Sequence, residues 1–345
     1  NMTTNQRFSV LRPLTPDEMH SLTIRIWNFF AITNNREIRK QLSLPIPDGA
    51  MQPLSINNFM TYLKNFIQMP HAERYYSQIT SLIRTMESKG VLVNAGHDVS
   101  APGRNTCYYT MKELTELQSE NDFWLGSILG ANYLRKKLES YIVRIEGENP
   151  IRGSGTGSGI LISPSTILTC GHNIKDMEIR SCWIGDTELN IEDMATHEKY
   201  DIGIIKISPT NAVNKFPYFG PPYILDQTLT LGYPPIRGIR EPVLLAQTGE
   251  INAIGTEFFS ACECITISSI TRPGNSGGPV FSLEGYIVGI VIQASTAVDA
   301  VGGDSSSENT QKFESPFYLA VSSNELPRIV SEIDSDVVIR FEDYQ

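Results

Sequence analysis

The sequence predicts a two-domain chain, a mainly helical N-terminal part followed by an all-β part. The chain has 345 residues, a length that favours two domains over one. In the first part, apolar residues recur at helical spacing behind capping residues. From about residue 139 the pattern changes to short apolar and β-branched runs separated by Gly, Pro, Asn and Asp, which reads as many short strands. The expected domains are therefore 1–138 and 139–345.

The helical part opens at Thr15-Pro16-Asp17-Glu18, with Thr at the N-cap, Pro at the first helical position and Glu at the third. A second helix is expected over 55–68, carrying Phe59, Met60, Leu63, Phe66 and Ile67. A third is expected over about 72–89, with Tyr75, Ile79, Leu82, Ile83 and Met86, and Gly90 as its C-cap. Val91-Leu92-Val93, a loop from Gly96 to Thr106, and Cys107-Tyr108-Tyr109-Thr110 follow. Helix, helix, strand, loop, strand is the pattern of a winged-helix domain. Residues 111–140 read as linking helices.

Charge decides between partners for that domain. Residues 1–150 carry a net charge of +2 and residues 151–345 a net charge of −12. Arg74, Arg84, Lys89 and Arg104 stand where nucleic-acid contacts would fall, but the excess is too slight for a DNA module. A regulatory protein partner is expected instead, and nucleic acid is not favoured. The acidic second part argues against nucleic acid or an anionic membrane as its direct partner.

Hydrophobic residues make up 41% of the chain, enough for a sizeable core. No apolar stretch is long enough to span a bilayer, and the polar segment Asn1–Arg12 lacks the apolar region of a signal peptide. The five cysteines are an odd set without framework spacing, which fits reduced thiols in a cytoplasmic protein. Cys262-Glu263-Cys264 has no second pair to complete a metal site. No metal or cofactor is expected.

Chemistry is concentrated in Thr271-Arg272-Pro273-Gly274-Asn275-Ser276-Gly277-Gly278-Pro279-Val280. A nucleophilic serine needs a base and hydrogen-bond donors where negative charge develops, and flanking glycines allow tight turns and close substrate approach. Gly274, Ser276 and Gly278 also fit the nucleophile elbow of α/β-hydrolases. That fold places its histidine after the serine. The five histidines here are His20, His71, His97, His172 and His197, and none follows Ser276. The orders Asp-His-Ser and His-Asp-Ser remain, and the strand-like sequence around His172 favours the second.

His172 ends a strand-turn-strand pattern that runs from Gly155 through Ser163-Pro164-Ser165 to Thr169-Cys170-Gly171. Its competitor, His197, lies in a polar segment that reads as a solvated turn. Asp201 heads the apolar run Ile202-Gly203-Ile204-Ile205-Lys206-Ile207, and a buried carboxylate there needs a hydrogen-bond partner such as a histidine.

In this order the motifs resemble a trypsin-fold serine peptidase of the HtrA (Deg) branch. The resemblance rests on Tyr141–Ile145, Gly155–Ile162, Thr169–His172, Tyr200–Ile207, Gly274–Val280 and Phe317–Leu326. It implies two six-stranded antiparallel β-barrels with an active site between them, and a short C-terminal helix. It further implies Ser276 as nucleophile, His172 as general base and acid, Asp201 as its orienter, and the amides of Gly274 and Ser276 as oxyanion hole. The branch usually carries a PDZ domain after its final helix, and none is expected in this sequence. Where the family has Ala-Ala-His or Asn-Ala-His, this chain has Cys-Gly-His, which adds a thiol.

By the same resemblance Ile270 stands at the base of the specificity pocket, with Thr271, Ile292, Gln293 and Ala294 along its walls. No buried acid is there to pair with Lys or Arg, so cleavage after small or medium apolar residues is expected. The polar run from about 295 to 314 follows the pocket wall and is long for a compact domain. Together with the N-terminal domain it is expected to gate activity. The expected function is a regulated intracellular serine endopeptidase acting on protein substrates. The alternatives are an inactive protease-fold binding module and a DNA-binding regulator with an autoproteolytic domain.

Overall fold

The structure, a computed structural model, describes residues 12–49, 51–98, 105–150, 153–211, 213, 215–257, 260–294 and 317–342, without the side chains of Gln293 and Ala294. It separates into two compact units, Asn1–Thr115 and Glu116–Gln345. Among the described residues no helix is long and apolar enough to cross a membrane.

In the first unit, helix α1 (Pro16–Phe30) begins at the expected cap. Thr15 Oγ1 accepts from the Glu18 amide at 3.3 Å while the Glu18 carboxylate accepts from the Thr15 amide at 2.8 Å. Helix α2 (Asn35–Gln41) and the short strand β1 (Leu54–Ser55) follow. Ser55 and Asn58 then cap α3 (Ile56–Asn65) reciprocally. A 3-10 turn at Ala72–Tyr75 precedes α4 (Tyr76–Ser88), which ends before Gly90 at φ +69°. Strands β2 (Val93–His97) and β3 (Thr106–Tyr109) complete an antiparallel sheet of order β1-β3-β2. The core is aromatic. Phe29 meets the Phe59 ring at 5.0 Å and Phe30 meets Tyr108 at 5.8 Å, both edge-to-face.

The second unit starts at Glu116, earlier than the sequence suggests. The expected linking helices are α5 (Glu116–Glu120), α6 (Gly126–Leu129) and α7 (Ala131–Leu138). Leu134 and Leu138 are fully buried and, with Phe123, share one apolar cluster with Leu229, Val280 and Ile287. A helix with an apolar stripe must bury it, and the β structure provides the surface.

Eight strands follow in chain order: β4 (Ile142–Asn149), β5 (Gly153–Ser163) and β6 (Thr166–Thr169), then, after the short helix α8 (Gly171–Lys175), β7 (Glu178–Ile184), β8 (Thr187–Leu189), β9 (Ile191–Thr196), β10 (Gly203–Ile207) and β11 (Gln227–Gly232). The first seven form an antiparallel sheet of order β8-β7-β4-β5-β6-β10-β9. This differs from the closed six-stranded barrel implied by the resemblance. A tight turn with Gly185 at φ +54° folds β8 back onto β7 as a seventh strand. The sheet's two edges, β8 and β9, are joined along the chain through Asn190.

Strand β11 joins β12 (Leu245–Thr256), β13 (Glu263–Ile267), β14 (Pro279–Ser282), β15 (Ile287–Ala294) and β16 (Tyr318–Ser322) in a closed six-stranded barrel, order β11-β12-β13-β16-β15-β14. Helix α9 (Leu326–Ile333) then buries Leu326, Ile329 and Val330.

The seven-stranded sheet is apolar on both faces, which explains its unbroken apolar runs. Val143, Ile145, Leu161, Ile167, Ile205 and Ile207 form its inner core. The alternate residues Ile142, Ile160, Ile162, Leu168 and Ile204 belong to the cluster shared with the closed barrel. Successive strand side chains point to opposite faces, so each strand serves two cores.

Candidate active site

Strand register brings His172 and Asp201 together. In the β6–β10 pair, Thr169 lies opposite Gly203. The chain leaving β6 and the chain entering β10 therefore meet at one edge of the sheet. His172 is the second residue of α8, and Asp201 lies two residues before β10. Asp201 Oδ2 lies 2.7 Å from His172 Nδ1, and Oδ1 accepts from the His172 amide at 2.7 Å. An ionised carboxylate only accepts hydrogen bonds, so Nδ1 carries the proton. Asp201 is about one-third exposed, less buried than its apolar surroundings in the sequence suggest, because it precedes the strand rather than lying within it.

Burial opposes a charge on His172, but the hydrogen bonds and charges of Asp201 and Cys170 outweigh it and hold the imidazole at about 10. The other ring nitrogen, Nε2, lies 3.5 Å from Cys170 Sγ. Cys170 is fully buried, which raises its thiol pKa, while the His172 contact works in the opposite direction. His197 is committed elsewhere. Its Nε2 meets Glu332 at 2.8 Å, and its Nδ1 accepts from the amides of Lys199 and Tyr200. Its side chain is a half-buried clamp onto α9, in a bend whose Glu198 and Lys199 are exposed.

Ser276 sits in a turn that only glycine permits on either side. Gly274 has φ +99° and Gly277 φ +80°. A Cβ at Gly274 would lie 2.7 Å from Pro234 Cα, and one at Gly277 would overlap Thr169 Oγ1 and the Ser158 carbonyl. The turn is held from the seven-stranded sheet by a buried hydrogen-bond network. The Ser276 carbonyl accepts from the Ser158 amide and from Asn173 Nδ2, both at 2.9 Å. Ser158 Oγ donates to the Gly274 carbonyl at 2.6 Å and accepts from the Tyr233 amide at 2.8 Å. Thr169 Oγ1 donates to the Ser158 carbonyl and accepts from Asn173. Among the described hydrogen bonds, the amides of Gly274 and Ser276 donate to no protein acceptor. None links Ser276 Oγ to His172.

Sequence reasoning missed Ser158, Thr169 and Asn173, although a hydroxyl between glycines in a strand, as at Ser158, was a signal.

Residues 157–290 match the family described as the trypsin-like peptidase domain. That match lies within the second unit of this chain. A curated relative, a probable periplasmic serine endoprotease, DegP-like, from Bartonella henselae, is 28% identical over 165 residues. That match covers 42% of this chain and 29% of the relative, so the chain spans about three-tenths of the relative's length. Among solved structures, an M. tuberculosis protease in its active form is 20% identical with a TM-score of 0.44, covering 58% of this chain and 83% of that one. A serine endoprotease from Yersinia pestis is 20% identical with a TM-score of 0.43, covering 59% of this chain and 65% of that one.

In the second unit, the expected specificity residues with described side chains, Ile270, Thr271 and Ile292, have different surroundings. Ile270 is 50% exposed, which does not fit a pocket floor, whereas the adjacent Thr271 is buried. Ile292 lines a cavity of about 300 Å³ with Asp201, Cys262, Cys264, Leu319 and Val321. The side chains of Gln293 and Ala294, and the polar run to 314, lie outside the described residues.

Proposed function

We propose that this chain is a serine endopeptidase that cleaves protein substrates through Ser276, His172 and Asp201. The observation that carries the reading is the His172–Asp201 pair in the peptidase domain, at the sheet edge that holds the Ser276 carbonyl. Ser276 Oγ attacks the scissile carbonyl while His172 Nε2 takes its proton, and Asp201 keeps the ring oriented and stabilises the imidazolium. The oxyanion is received by the uncommitted amides of Gly274 and Ser276. His172 then protonates the departing amine, and water releases the acyl group by the reverse sequence.

The reaction requires Nε2 to exchange its Cys170 contact for Ser276 Oγ, because the latter bond is absent among the described residues. Catalytic hydrogen bonds often tighten only when substrate binds. The rival reading, an inactive binding module, draws on the same missing bond. Assay of the full chain on an unfolded protein substrate separates the two. The peptidase reading expects cleavage that Ser276→Ala abolishes, and turnover unchanged in that variant would sink it.

Ile292, Leu319 and Val321 along the cavity beside Asp201 support cleavage after small or medium apolar residues. For the N-terminal unit the reading is a winged-helix-like module that docks a regulatory protein, supported by its β1-β3-β2 sheet. The exposed residues of α4 are Tyr76, Ser77, Ser81, Arg84 and Ser88, a face with one cation, which favours protein over nucleic acid. All five cysteines are unpaired, which supports a reducing, cytoplasmic setting.

A further inference from the structure

We propose that Cys170 Sγ and His172 Nε2 form a chelating site for a thiophilic divalent cation, of which zinc is the representative, and that its binding switches the peptidase off. The binding stands on geometry, and the inhibition rests on the reading of His172 as general base. A tetrahedral zinc ion with a thiolate at about 2.3 Å and an imidazole nitrogen at about 2.0 Å holds the two donors roughly 3.5 Å apart. The observed separation of Sγ and Nε2 is 3.5 Å.

The far side of the ring is already arranged for a metal. Asp201 fixes Nδ1 at 2.7 Å, the carboxylate–histidine pairing that orients metal-ligating imidazoles and strengthens them as donors. Donor atoms of Cys170, His172 and Asp201 all lie within 4.8 Å of one another. About one-third of the His172 side chain is exposed, so a cation approaches along the imidazole edge although the thiol is buried. On binding, the Cys170 thiol proton and any proton on Nε2 leave to solvent, and the sulfur–metal and nitrogen–metal bonds replace them. Two protein donors leave the remaining positions to water, so the ion is reversibly held. Thiolate with imidazole selects zinc, copper or cobalt over magnesium and calcium.

The bound ion occupies the lone pair with which His172 would receive the Ser276 proton. Inhibition thus requires no conformational change. The Cys262–Cys264 pair, which lines the neighbouring cavity, is the competing thiol site and serves as the control.

The test titrates the full chain with cobalt(II) and reads the near-ultraviolet thiolate-to-cobalt band, alongside fluorophosphonate labelling with and without zinc. The expected result is a one-to-one band that is lost in both Cys170→Ser and Cys170→Ala but kept in Ser276→Ala and in Cys262→Ser/Cys264→Ser. Zinc is expected to slow labelling of the unmodified chain at least tenfold, with recovery on adding EDTA. The ratio of rates with and without zinc should be one in the Cys170 variants, whatever their basal rates. A missing band, or one that survives in the Cys170 variants, overturns the site. Labelling that zinc leaves unchanged while the band forms overturns the inhibition. Failure of labelling with the band intact counts against the peptidase reading and leaves the metal site standing.

Discussion

In the proposed mechanism His172 is the central group, with Nδ1 held by a carboxylate and Nε2 beside a thiol. A raised imidazole pKa means that the neutral base is scarce below the raised value and accumulates as pH rises through it. Peptidase activity should therefore climb on the alkaline side of an ordinary histidine. Asp201→Asn removes the charge and the donor-orienting acceptor, so the rising limb should move to lower pH while kcat/KM falls by about 10⁴-fold. A pH–rate profile of both proteins checks this. A limb that stayed in place would show that Asp201 does not set the base. Ser158 acts on the nucleophile at one remove. Ser158→Ala leaves the Tyr233 amide and the Gly274 carbonyl without their buried partner, each worth about 1–3 kcal/mol. Stability should drop by at least about 2 kcal/mol in denaturant unfolding, with slower labelling of Ser276.

Elements explain which of these residues could be read from sequence. His172 and Asp201 each sit just outside an apolar run, where a lone polar residue is conspicuous. The β6–β10 register that joins them follows from antiparallel pairing. Ser276 announced itself through its glycines, and the clashes at Gly274 and Gly277 give the reason. Asn173 was not legible because the Ser276 carbonyl it holds lies far along the chain, and Thr169 was not because it acts only through Asn173 and Ser158. Ile270 misled for a related reason. Counting back from the serine fixes a position along the chain, but not the side to which the loop turns its side chain.

For the whole molecule, the location of the boundary has a physical cause. Residues 116–138 looked like a link because their helices are short, yet Leu134 and Leu138 fill the same core as the closed barrel. A fragment starting at 116 should melt cooperatively, whereas one starting at 139 leaves that core open and should melt lower and more broadly, as calorimetry would show. Regulation belongs to this scale too. If the N-terminal unit gates the site, the fragment from 116 should differ from the full chain in labelling rate; equal rates would remove the support for gating.

The proposed peptidase activity depends most heavily on Ser276 as an activated nucleophile. Mass spectrometry of the full chain after fluorophosphonate treatment, with the adduct located by peptide mapping, tests that claim most directly. The account predicts a single adduct on Ser276, absent in Ser276→Ala and suppressed in His172→Ala. An unmodified Ser276, or an adduct on another residue that survives in Ser276→Ala, would contradict it.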